Sequence, residues 1–231
     1  MVVGNRKDAL TLWYKGKPGA DVFALEQRLI APVVDHFRPF RCLELASRPL
    51  VLPGQVKEKV NCSSTFNMDV TKSSACVVGD IGSLPFSSEY FDLVVCCHVH
   101  EVSGHSAQTI SELSRVLMPE GLIVFVGFNP YGIWRKRDFN GIDKWWSHPM
   151  NRQDLIVQGE LCSLIEVYTD YAGFLSVCDR KNRFQAYIST TLQRHFPESG
   201  ILYKTVMRKR VSAYAAASNA SDSVMHNTQV G

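Results

Sequence analysis

Three apolar stretches set the frame of this chain: 42–45 (Cys-Leu-Glu-Leu), 91–97 (Phe-Asp-Leu-Val-Val-Cys-Cys) and 122–128 (Leu-Ile-Val-Phe-Val-Gly-Phe). They are apolar on both faces of a pleat. That is the signature of strands covered on both sides, as in parallel sheets. Between the second and third, Ile110, Leu113, Val116 and Leu117 fall on one helical stripe, which predicts a helix over 106–117. Pro119-Glu120-Gly121 then predicts a turn. Upstream, Val22, Leu25, Leu29 and Val33 recur at helical spacing, with Asp21 as N-cap. A helix is expected as far as Leu29 or Ile30, kinked or ended by Pro32. Residues 66–70 and 75–78 read as short strands, and 46–74 are otherwise without a period. A helix is expected from Arg152 to Ile165, then strands near 165–169 and over 201–207. Alternation of this kind indicates an α/β domain with helices on both faces of the sheet.

The chain has 231 residues, 45% of them hydrophobic, enough for one sizeable core. We divide it into an N-terminal helical segment (1–40), an α/β domain (41–211) and a tail (212–231) whose small, polar, aperiodic sequence is expected to be disordered. A net charge of +3 does not point to nucleic acid. The basic clusters Arg135-Lys136-Arg137 and Arg208-Lys209-Arg210 are short enough to be solvated faces. Seven cysteines include no C-x-x-C pair, and Cys76, Cys96 and Cys97 sit in apolar runs, as expected in a reducing compartment. The first residues lack an apolar signal-type core, and no stretch is long enough to span a membrane. A cytoplasmic location is expected.

The most specific feature is a spaced set of residues: Gly79-Asp80, Leu84-Pro85-Phe86, Phe91-Asp92, and Arg115-Val116-Leu117-Met118-Pro119-Glu120-Gly121. In order and spacing this resembles the class I S-adenosylmethionine (SAM) dependent methyltransferases, in particular their small-molecule group. Further features are similar to a bacterial branch of that superfamily: Gly127-Phe128-Asn129-Pro130 with Arg137, Met150 with Arg152-Gln153, and Arg208-Lys209-Arg210. The resemblance implies a Rossmann-like fold with a seven-stranded, mostly parallel sheet. It implies SAM as cofactor and a small-molecule acceptor as partner, bound beyond the carboxyl ends of the strands. It places adenine at Asp80 and the amide of Ile81, and the sulfonium methyl near Cys97 and His98. If the acceptor must lose a proton, His98 is the candidate base.

The methionine side departs from the family. Glu44 holds the acidic position, but Ala46, Arg48 and Leu50 stand where three glycines would let the backbone approach the cofactor. That erosion is shared by the bacterial branch. The span from Glu44 to Asp80 is short, so the first crossover helix is expected to be reduced or absent, and Asp69 is the candidate for the ribose hydroxyls. Arg48 either points to solvent or holds the methionine carboxylate in place of the glycines. The alternative reading is a pseudo-methyltransferase that binds or scaffolds without turnover.

Other residues allow more than one reading. His98, His100, Glu101 and His105 are open to a metal, a substrate-site or a packing role, and no metal site is expected. Cys96-Cys97 reads as core. Trp134, Trp145 and Trp146 either stack on an acceptor or anchor their insertion. Asn129-Pro130-Tyr131 lies after the wrong strand for the amino-methylating motif it mimics, and is expected to start a helix instead, with Pro130 at its first position.

Overall fold

The structure is a computed structural model and describes residues 12–46, 48–52, 56, 58–63, 76–103, 105–132, 150–174 and 183–210. Asp69, the expected strand at 66–70, the three tryptophans of 134–146 and the tail lie outside them.

The three apolar runs become β1 (Arg41–Leu45), β4 (Phe91–Cys97) and β5 (Leu117–Phe128). β2 (Glu58–Ser63), β3 (Cys76–Val78), β6 (Leu164–Ala172) and β7 (Leu202–Lys209) complete one sheet of order β3-β2-β1-β4-β5-β7-β6. Pairing from β3 through β5 is parallel, and β7 runs antiparallel between β5 and β6. β2 carries no apolar run, which is why its pattern is unreadable in the sequence. Between β1 and β2 no helix lies among the described residues, in line with the short span.

Both faces are buried, as the double-sided runs require. On one, Leu43, Leu45, Val94, Cys96, Ile123 and Phe125 meet Ile110, Leu113 and Val116 of a helix at Ser106–Val116. That face also takes Leu155, from the helix at Arg152–Leu161. On the other, Cys42, Leu93, Val95, Cys97, Val124 and Val126 meet the long helix α1 (Lys17–Phe37) through Ile30, Val33 and Val34.

α1 corrects one expectation: it does not end at Pro32. An interior proline costs about 3 kcal/mol. Pro32 lies on the exposed side, and burying Ile30, Val33 and Val34 contributes about 1.5–3 kcal/mol each, so packing outweighs the lost hydrogen bond. A second correction concerns 119–121. These residues belong to β5, where the pairing shifts register between Phe91 and Leu93, so the turn is absorbed as an irregularity in the strand. The helix at Arg183–His195 has no counterpart in the sequence reading.

The motif residues hold this architecture together. Asp92 accepts from the amides of Phe40 (2.6 Å) and Arg41 (2.9 Å), fixing the entry to β1. Glu112 accepts from Leu84 N (2.7 Å), and Arg115 forks onto Glu112 while donating to Leu84 O (3.1 Å). Leu84-Pro85-Phe86 is thus tied to the helix, and Phe86 packs edge-on against Phe91 at 5.0 Å. Arg152 pairs with Glu166 through two nitrogens, and Lys209 Nζ donates to Leu117 O (2.8 Å).

Replacing Asp92 with Ala leaves two backbone donors without their acceptor, at a cost of about 1–3 kcal/mol. Urea unfolding should show a lower midpoint with an unchanged slope.

Candidate functional site

The carboxyl ends of β1, β3 and β4 share one edge of the sheet; of the expected site residues, Glu44, Ala46, Asp80, Ile81, Cys97 and His98 stand at or just after these ends, and Asp69 lies outside the described residues. Asp80 follows β3 and stays exposed; its Oδ1 accepts from Gly82 N (3.0 Å), and its carbonyl accepts from Ser83 N (3.0 Å). Ile81 turns inward and is buried in the core. Cys97 ends β4 and is buried; burial pushes its thiol well above its ordinary range. The Cys96 thiol is pushed up to about 12, again mainly by burial, so both cysteines act as core.

Glu44 is buried at the end of β1, and its carboxylate is committed to the protein. Oε1 accepts from Leu50 N (2.6 Å), and Oε2 faces Lys59 Nζ at 2.5 Å. Lys59 also donates to Leu50 O (2.7 Å), while Leu50 packs into the α1 side of the core. An acid, a lysine and a buried leucine therefore set the 46–50 loop where glycines would otherwise shape it. Ala46 packs at the border of the same cluster. Arg48 is exposed and stacks on Phe23 of α1, its guanidinium carbon 4.3 Å from the ring centre.

His98 differs most from its expected role. It is fully buried, with Nδ1 2.7 Å from Glu101 Oε2 and Nε2 3.1 Å from Glu26 Oε1. Tyr14 donates to Glu26 Oε1 (2.6 Å), and Glu101 accepts from Phe128 N (3.0 Å). The Phe128 ring lies over the imidazole at 4.0 Å. Burial opposes charge on His98, but the hydrogen bonds to Glu101 and Glu26 outweigh it and raise the pKa to about 9. At neutral pH His98 is therefore an imidazolium with both protons engaged, and no ring nitrogen is left to take one from an acceptor. Its backbone sits at φ 60°. For a residue other than glycine, that is held only by surroundings that over-determine it.

His100 is the counterpart. Burial, and then the charge on His98, depress its pKa to about 3, so it is neutral. Tyr203 donates to Met150 O (3.1 Å), so its oxygen accepts from His100 Nε2 (3.0 Å). Gly127 lies against the hydroxyl end of Tyr203, where a Cβ has no room. Both histidines are thus committed to internal partners, and among the described residues no three His, Cys, Asp or Glu side chains are arranged for a metal ion. Asn129 is also spent on the backbone, donating to Glu198 O (2.7 Å) and Gly200 O (2.8 Å) and accepting from Tyr131 N (3.0 Å).

The sequence reading missed Tyr14, Glu26, Lys59 and Tyr203, and did not pair Glu101 with His98. One signal was present: Glu26 stands four residues from both Val22 and Ile30, on the buried stripe of α1. A charge in that position asks for a partner.

Residues 55–125 match the family model described as a methyltransferase domain. No curated protein matches the chain. Among solved structures, it is similar to a SAM-dependent methyltransferase of Thermotoga maritima, described as a possible histamine N-methyltransferase. The TM-score there is 0.62 at 14% identity, over 86% of this chain and 93% of that one. A SAM-dependent methyltransferase of Archaeoglobus fulgidus gives 0.55 at 14% identity, over 81% and 94%. The Haloferax volcanii complex of the Trm112 methyltransferase activator with a methyltransferase gives 0.56 at 11%, over 86% and 96%. At these identities the likeness is one of fold.

The two histidines fix a pH dependence of stability. His98 has its folded pKa raised above the unfolded value near 6.5, so its contribution is full below 6.5 and is lost as pH rises through about 9. The loss is on the order of 3 kcal/mol. His100 has its folded pKa lowered, so its contribution is full above 6.5 and is lost as pH falls toward about 3. Urea unfolding across pH should give a maximum near 6.5. H98Q should flatten the alkaline limb and H100Q the acidic limb.

Proposed function

We propose, for a chain that carries a methyltransferase domain of the class I, SAM-dependent type, that it methylates a small-molecule acceptor at the carboxyl edge of β1, β3 and β4. The observation that carries this reading is the placement of an exposed Asp80 carboxylate above the buried Ile81, at the end of β3 in this sheet order. When bound, SAM supplies an electrophilic methyl group on a cationic sulfur.

The donor set fits the nucleoside end of that cofactor. Asp80 has an exposed carboxylate to accept amino hydrogens, and the amide of Ile81 is the neighbouring donor. Asp69 remains our candidate for the ribose hydroxyls. Ala46 and Cys97 border the position of the methionine portion. Glu44 contributes indirectly, by holding the 46–50 loop through Leu50 N. The residues at the end of β4 act on geometry and not on protons. His98, saturated by Glu26 and Glu101, fixes α1 and the β4 end relative to each other. The rate enhancement then rests on holding the acceptor in attack geometry. α1 lies close over this edge through Glu26, to which Tyr14, just before the helix, donates; this favours a compact acceptor.

Two measurements test this. S-adenosylhomocysteine at a hundred times its dissociation constant should stabilise the protein by about 2.7 kcal/mol. D80A should weaken its binding roughly tenfold, the loss of one hydrogen bond to a charged group, with little change in melting temperature. Absence of binding by the wild-type protein refutes the reading. When cell extract is incubated with methyl-labelled SAM, label should appear in the low-mass fraction; label confined to protein or nucleic acid overturns the small-molecule acceptor.

A further inference from the structure

We infer that Arg48 is the anion-binding group of the cofactor site, holding the amino-acid carboxylate that a glycine-rich loop would bind through its amides. This rests on the SAM-binding reading above.

At positions 49 and 50 the loop after β1 has no free backbone donor to offer. Pro49 has no N–H, and the Leu50 amide is taken by Glu44 at 2.6 Å. The Leu50 carbonyl is held by Lys59, so the segment cannot easily turn over to present other groups. A carboxylate beside Pro49 and Leu50 would therefore be met by a side chain. Lys59 is occupied by Glu44 and Leu50.

Arg48 is placed for the task. It is exposed, and no carboxylate among the described residues pairs with it. Its guanidinium lies on Phe23, whose ring stands 6.3 Å from Tyr14, which in turn stands 6.5 Å from the His98 ring. The cation is thus held against α1, beside the loop that follows β1. Stacking engages one face of the plane and leaves the N–H edge open, the edge that forks onto a carboxylate through two parallel hydrogen bonds. It also limits the side-chain freedom lost on binding.

The test compares S-adenosylhomocysteine with S-adenosyl-3-thiopropylamine, which differs from it only in lacking the carboxylate. Calorimetric titration of wild type, R48Q and R48K measures both affinities. We expect R48Q to bind S-adenosylhomocysteine at least tenfold more weakly and to bind the thiopropylamine within twofold of wild type. R48K, with charge but no fork, should fall between. Equal losses for both ligands, or none for either, overturn the assignment and leave Arg48 as a pin between loop and helix. F23L should weaken only the carboxylate-bearing ligand, by a smaller factor; an unchanged affinity would refute the stacking part. If wild type binds neither ligand, the SAM reading itself fails, which is a different result from an Arg48-independent affinity.

Discussion

The buried His98 cation ties together three parts of the fold at the carboxyl edge of the sheet. The His98 imidazolium lies between the carboxylates of Glu26 and Glu101, out of contact with solvent. Removing one partner of such a group leaves an uncompensated buried charge, typically at a cost of about 3–5 kcal/mol. The group joins three parts of the fold: Glu26 belongs to α1, His98 follows β4, and Glu101 caps the amide of Phe128 at the end of β5. It adds to the packing of Ile30, Val33 and Val34 in holding α1 over the sheet. Phe23 lies on the same helix, so the aromatic platform under Arg48 depends on the same ion group.

The spaced motif residues do a different job from the one their position suggests. Asp92, Glu112 and Arg115 satisfy backbone groups at β1 and at the loop after β3, and the Phe86–Phe91 contact closes the space between them. These residues set where strand ends fall, so they place the site without touching it. One carboxylate oxygen of Asp80 shapes its own turn, while the side chain stays exposed.

The 46–50 loop shows how a glycine motif can be replaced. Glycines permit close backbone approach; here Glu44 and Lys59 pin a loop built on Pro49 and a buried Leu50. A conformational permission has been exchanged for a set of side-chain restraints.

The sequence by itself determined the buried strands and the helix over 106–116, because double-sided apolar runs and 3.6-residue stripes are properties of a few neighbouring residues. It also carried the resemblance to methyltransferase domains, since the spacing of Asp80, Pro85, Asp92 and Arg115 is a local record of how loop and helix meet. Only the tertiary structure decided that β2 is a strand despite its polar composition, and that α1 runs through Pro32, since both depend on what packs against them. Only the tertiary structure turned His98 from a candidate base into a saturated cation. Glu26 reaches it from 72 residues away, and no periodicity in a sequence states which acid will be buried against which base. The physical reason is the same in each case: burial and charge pairing are set by contacts between distant segments, and these exist only once the sheet has brought them together.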